Sequence, residues 1–112
     1  MSLISYDDFS KVHISVGTII KAKEDYTLKK PSIVLTIDFG DKIGIKKSSA
    51  QLQANYDSSK LINRQIAAVT NFPPKQIGKF MSEVLVLGFP DENYEPILVT
   101  PDFKIKNGGR LF

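Results

Sequence analysis

Val12-His13-Ile14-Ser15-Val16-Gly17-Thr18-Ile19-Ile20 alternates apolar and polar side chains until a glycine breaks the phase. Successive side chains of an extended chain point to opposite sides, so this period of two marks a strand with one buried face. The glycine predicts a bulge or a sharp bend at position 17. Long strands bent in this way are what a small closed barrel requires.

On the N-terminal side of this strand, Ser5-Tyr6-Asp7-Asp8 places an acidic residue three positions after a serine. That is the spacing of a capping box, and it predicts one short helical turn ending near Ser10. On the other side, Ile33, Leu35, Ile37 and Phe39 mark the buried face of a second strand. Asp38-Phe39-Gly40-Asp41 reads as a turn, and Ile43 and Ile45 give a third, short strand. From Ala50 to Leu61 the chain is polar, with Leu52, Tyr56 and Leu61 as anchors, and it reads as loop plus weak helix. Ile66 to Val69 is a buried fourth strand. Phe72-Pro73-Pro74 breaks regular structure, because two prolines remove backbone donors and force the preceding residue to be extended. Val84 to Leu87 forms a fifth strand, Ile97-Leu98-Val99 a short late one, and Gly108-Gly109 a turn.

This pattern describes an all-β fold, a five-stranded OB-type Greek-key barrel with a short N-terminal helix and a small helical insert after the third strand. An SH3-like barrel is the alternative architecture. The 112 residues are expected to form one domain, spanning 1–112.

The chemistry of the side chains narrows the function. With no cysteine, disulfides, thiolate metal sites and thiol catalysis are excluded. His13 is the sole histidine, and no cluster of histidines and carboxylates has metal-ligand spacing. Asp38-Phe39-Gly40 copies a kinase magnesium motif without the glycine loop or the catalytic loop that would give it meaning. The expectation is therefore a non-enzymatic module without cofactor or metal. No apolar run approaches the roughly 20 residues that a membrane span needs, and Asp7 and Asp8 stand where a secretory leader would be basic. A cytoplasmic location is expected. The 15 Lys and Arg against 12 Asp and Glu give a net charge of +3. This is compatible with a nucleic-acid partner but also common among proteins that bind none. Arg64 and Arg110 are the only arginines. Lysine suits diffuse contact with phosphates better than bidentate reading of bases.

Two segments carry a family resemblance. They are Ile43-Gly44-Ile45-Lys46-Lys47-Ser48-Ser49-Ala50-Gln51 and the run from Asn71-Phe72-Pro73-Pro74-Lys75 through Gly78-Lys79-Phe80-Met81-Ser82-Glu83 to Gly88. Both are similar to the CsaA proteins, as are Asp8-Phe9-Ser10-Lys11-Val12 and Val16-Gly17-Thr18-Ile19. The likeness runs over essentially the whole chain. The second segment also resembles, more distantly, the tRNA-binding domain appended to methionyl- and phenylalanyl-tRNA synthetases, with Asn71, Lys75 and Ser82 at that group's positions. Glu83-Val84-Leu85 departs from the wider pattern, which places the chain on the CsaA side. The resemblance implies an OB-fold homodimer that binds tRNA, or that binds unfolded preproteins during protein export.

The lysines fall in clusters at 29/30, 46/47, 75/79 and 104/106. Each reads either as a solvated barrel loop or as part of a phosphate-tracking surface. Only Lys46, Lys47, Lys75 and Lys79 fall where the binding face of such a barrel lies, over its second and third strands and the loop joining the fourth and fifth. Ser48, Asn71 and Ser82 are candidates to donate to phosphate or ribose, or else to satisfy backbone groups at strand ends. Phe72 and Phe80 sit either side of the two prolines, either packed beneath that segment or exposed to stack on a base or line a peptide groove. Leu111 and Phe112 are candidates for a dimer interface.

Three functions follow. The first is binding of tRNA or another structured RNA. The second is chaperone-like binding of unfolded preproteins, with a link to export machinery. The third is a purely structural or assembly role.

Overall fold

Ser5 caps the first helix through its hydroxyl, which accepts from the Asp8 amide at 3.1 Å, while the Asp8 carboxylate accepts from the Ser5 amide at 3.1 Å. This reciprocal pair sets α1 (Tyr6–Ser10). In the computed structural model, which describes all of residues 1–112, the chain then enters β1 (Ile14–Asp25), β2 (Ser32–Asp38) and β3 (Ile45–Ala50). Next come α2 (Ser58–Leu61), β4 (Gln65–Val69), β5 (Lys75–Ile77), β6 (Phe80–Ser82), β7 (Leu85–Val86), β8 (Gly88–Pro90) and β9 (Pro96–Leu98).

Five of these strands form one antiparallel sheet in the order β3-β2-β1-β4-β7. The sheet curls until its two edges meet. There the Glu83 amide donates to the Lys47 carbonyl at 2.8 Å and the Ser48 hydroxyl donates to the Val84 carbonyl at 2.9 Å. The curled sheet encloses Ile19, Ile33, Leu35, Ile37, Phe39 and Leu61, all without solvent exposure, with Leu52, Ile66, Ala68, Val84 and Leu98 around them. The mostly β architecture, the helical insert after the third strand and the barrel-like curl agree with the sequence reading.

Four local expectations are corrected. The bulge lies between Ile19 and Lys21, and not at Gly17. Gly17 pairs regularly with Ile66 and serves close packing instead, since a Cβ there would sit 2.6 Å from Ile37 Cγ2 and 2.7 Å from Phe39 Cδ1. Ile43 precedes the third strand and packs on the core, whereas Ile45 is exposed; Gly44, at φ +86°, resets the phase between them. The segment after the prolines is a hairpin and not an open loop. β5 and β6 pair Lys75 with Ser82, Gln76 with Met81 and Ile77 with Phe80, around a turn that Gly78 makes possible at φ +59°. Finally, the fifth strand is short, and its continuation β8 leaves the barrel to pair with β9.

Residues 108–111 run beside the first half of β1. Gly108 donates to Val16 at 2.8 Å, Val16 to Gly109 at 3.1 Å, and Leu111 to Ile14 at 2.8 Å. This covers an edge of β1 that β2 does not reach, because β2 pairs only with Thr18–Asp25.

Candidate nucleic-acid interface

Register decides which lysines share a surface. Across the first three strands, Ile37 is paired with Lys46, and Thr36 with Lys47. Ile37 is buried in the core, so Lys46 leaves β3 on the core-facing side, where it is half-buried, and Lys47 projects from the outer face. The two consecutive lysines thus sit on opposite faces of one strand. The row continues to β1, where Lys21 pairs with Thr36, so that Lys21, Thr36 and Lys47 lie side by side on the outer face.

The hairpin β5–β6 lies against the edge of β3 beside the seam, where the Ser49 amide donates to the Ser82 hydroxyl. Lys75 is exposed on β5, and Lys79 is exposed in the turn after Gly78. The Asp25 carboxyl, at the end of β1, is held below its ordinary value chiefly by the Thr27 hydroxyl and amide, with smaller pulls from Lys79 and Lys23.

The three polar candidates are committed within the protein. Ser48 is buried, and its hydroxyl donates to Val84. Ser82 is also buried; its oxygen lies 3.3 Å from that of Ser48 and accepts from the Ser49 amide at 3.2 Å. Asn71 is exposed, but its amide nitrogen donates to the Lys11 carbonyl at 2.8 Å and its oxygen accepts from the His13 amide at 3.0 Å. These side chains hold the barrel seam and tie the start of the proline segment to the chain ahead of β1.

The arginines are likewise occupied. Arg64 stacks on the Tyr56 ring with its guanidinium carbon 5.5 Å from the centroid, and Arg110 donates to the Ser10 carbonyl. Neither contact removes the guanidinium charge, but with 13 lysines against two arginines the positive charge is carried mainly by lysine. Of the 15 basic side chains only Lys30 is in an ion pair, 2.9 Å from Glu95.

Between the proline segment and the seam lies an open cleft of about 720 Å³. Phe72, Pro74, Ile77 and Leu85 wall it, Leu28 of the β1–β2 loop borders it, and Ser48, Ser49 and Ser82 are among its lining residues. Phe72 is 54% exposed and lines the cleft, whereas Phe80 is half-buried and does not. Lys75 stands at the cleft; Lys46, Lys47 and Lys79 do not. The cleft was not legible in the sequence, because its walls come from five separated segments.

Leu111 and Phe112 are exposed, and Leu111 extends a row of apolar side chains through Ile14 and Val69 to Leu85. No helix is long and apolar enough to cross a membrane, a statement that leaves β-barrels aside.

A curled five-stranded sheet with an outer lysine row and an adjoining cleft defines a small barrel of the binding-module class. The family described as "Putative tRNA binding domain" matches residues 14–110. Two solved structures agree over almost the full length of both chains. The chaperone CsaA of Bacillus anthracis is 40% identical at a TM-score of 0.93, covering 99% of this chain and 100% of its own. The CsaA chaperone of Picrophilus torridus is 47% identical at a TM-score of 0.89, covering 98% and 100%. The methionine–tRNA ligase of Methanococcoides burtonii is 32% identical over 106 residues, which is 95% of this chain but only 15% of the ligase. The chain belongs to the tRNA-binding domain family and, within it, to the CsaA group.

Proposed function

We propose that the protein binds tRNA or another structured RNA and catalyses no reaction itself. The observation that carries this reading is the family match across residues 14–110. It is supported by lysines left free of carboxylate partners on and beside β3. Such lysines gain affinity by displacing the counterions condensed on phosphates, while the barrel's shape selects among RNA structures. Lys47, Lys75 and Lys79 are the direct contacts of this reading, with Lys46 reaching from the other side of its strand. Ser48, Ser82 and Asn71 keep the seam and the proline segment in place. Fluorescence anisotropy with labelled tRNA tests it: binding should fall steeply as salt rises, and absence of binding at tens of micromolar would sink it.

A second reading, binding of unfolded polypeptide, is favoured by the cleft beside Phe72, which has the size and the mainly apolar walls of a ligand groove. It accords with the name of the two CsaA structures as chaperones. In solution we expect a cytoplasmic homodimer, supported by the apolar row from Leu111 to Leu85. A monomer mass by light scattering at micromolar concentration would refute the dimer.

A further inference from the structure

The connection between β1 and β2, residues 26–31, is fixed at both ends and loosely held between them. At its start the buried Asp25 accepts from the Thr27 amide at 3.0 Å and from the Thr27 hydroxyl at 2.6 Å. At its end the hydroxyl oxygen of the buried Ser32 lies 2.9 Å from that of Ser49. Between these anchors, residues 26–31 take part in no backbone–backbone hydrogen bond. Two side-chain contacts fasten them to the rest of the molecule. Leu28 rests on Gly78, where an added Cβ would come within 2.8 Å of Leu28 Cδ2. Lys30 Nζ is 2.9 Å from Glu95 Oε1.

Both contacts fall on hairpin turns. Gly78 lies in the turn that joins β5 to β6. Glu95 lies in the turn that joins β8 to β9, where its amide donates to Asp91 at 2.9 Å. The same two hairpins wall the cleft, one through Lys75 and Ile77 and the other through Pro96 and Leu98. Phe72 stands at the base of the first hairpin and Leu28 at its turn, and both line the cleft. Residues 26–31 therefore cross from one turn to the other at the end of the cleft away from Phe72. The hairpin wall has three residue pairs, about 10 Å at the rise of an extended chain. A longer polypeptide lying along it has to leave past this crossing.

We propose that residues 26–31 are a strap across the cleft, which lets go of the Gly78 turn or the Glu95 turn to admit an unfolded polypeptide. This rests on the polypeptide reading and adds to it a gate with named fastenings. Letting go costs little, because one foot is a single apolar contact and the other an ion pair whose lysine is in solvent. A segment so poor in backbone hydrogen bonds opens without unfolding its surroundings, and the anchors at Asp25 and Ser32 keep it attached. The strap thus sets how fast a chain enters and leaves the cleft.

The test is a reversible lock. The chain has no cysteine, so Lys30→Cys/Glu95→Cys carries only the two introduced thiols, which a bis-methanethiosulfonate spacer joins and a reductant releases. Stopped-flow anisotropy with a fluorescein-labelled unfolded preprotein segment should show association slower by about tenfold or more in the bridged protein than after release. Lys30→Met frees one foot and keeps the aliphatic stem, and it should speed association by about 2–5-fold, the factor that a weak surface contact allows. Lys29→Met, an exposed neighbour with the same charge loss and no ion pair, should leave the rate unchanged. Equal rates in the bridged and released forms, with the parent still binding the segment, overturn the strap and spare the polypeptide reading. An equal gain in Lys29→Met reduces the effect to net charge and also overturns it. A parent that binds no unfolded segment at tens of micromolar removes both.

Discussion

Lys47 and Glu83 bond to each other twice: the Glu83 amide donates to the Lys47 carbonyl at 2.8 Å, and the Lys47 amide donates to the Glu83 carboxylate at 3.0 Å. One residue of each sheet edge is used, so the pair closes the barrel beside its candidate binding lysine. Glu83→Ala keeps the first bond and loses the second. A hydrogen bond to a charged group contributes about 1.5–3 kcal/mol, and partial exposure of Glu83 argues for the lower end. Urea unfolding should show a loss of about 1–2 kcal/mol. Removing a negative charge beside Lys47 should leave RNA affinity unchanged or raise it. Weaker binding in a fully folded variant would contradict Lys47 as a contact.

Lys46 and Lys47 are adjacent in sequence but not equivalent. Lys47→Ala should reduce the salt slope by about 0.7–0.9, because it removes a phosphate contact from the outer face. Lys46→Ala, on the core-facing side of the strand, should change the slope by less. Equal effects would mean that the RNA wraps the edge of β3 instead of lying across its outer face.

Asn71→Ala removes both the bond to Lys11 and the acceptor for His13. Exposure lets water replace part of this, so the cost should be about 1 kcal/mol, or a fall of roughly 4–8 °C in Tm for a domain near this size. Binding should weaken only in proportion to unfolding. A large loss of affinity at unchanged Tm would instead return Asn71 to the set of direct RNA contacts.

Much of the fold was legible because it is written in period two. Ile33, Leu35 and Ile37 announced a strand by alternation alone, and Ser5 with Asp8 announced a helix start by spacing alone. The bulge was misplaced because two causes compete to explain a glycine in a strand. Gly17 answers to the nearness of Ile37 and Phe39, contacts made across the barrel that no local pattern reveals. The same misplacement concealed Lys21, whose outward direction depends on where the extra residue falls. Ser48 and Ser82 show the converse. A serine on a strand is equally at home on either face, and only the seam between β3 and the segment before β7 shows that both hydroxyls are spent inside.

Acid should expose two carboxylates that are held below their ordinary value of 3.8. Asp25 is lowered chiefly by the Thr27 hydroxyl, and Asp91 chiefly by the Asn55 side-chain amide. Each therefore binds its proton less readily folded than unfolded. Its contribution to stability is complete above about pH 4–5 and is lost as pH falls through the lowered folded value. Thr27→Val with Asn55→Ala should flatten the loss of stability below pH 4 relative to the parent. Urea midpoints measured from pH 7 to pH 2 would show it, and parallel curves would refute it.

RNA and polypeptide should be separable by competition. The lysine face and the cleft are distinct surfaces that adjoin at Lys75 and the β5–β6 hairpin. RNA binding should weaken with salt, whereas an apolar segment in the cleft should be held as well or better in sulfate. A labelled unfolded preprotein segment titrated with and without tRNA should show partial competition. That competition should be relieved by Lys75→Ala if Lys75 is the shared point. Full mutual exclusion that survives the substitution would place both ligands on one surface.

The single ion pair, Lys30 with Glu95, has a practical corollary. With its lysine in solvent, a pair of this kind contributes about 0–1 kcal/mol, and the enclosed apolar core is hardly weakened by salt. Ionic strength is thus a reagent that acts on the partner and leaves the fold intact. On an immobilised RNA column the protein should elute folded, and the salt at which each lysine variant elutes would rank the phosphates it has lost.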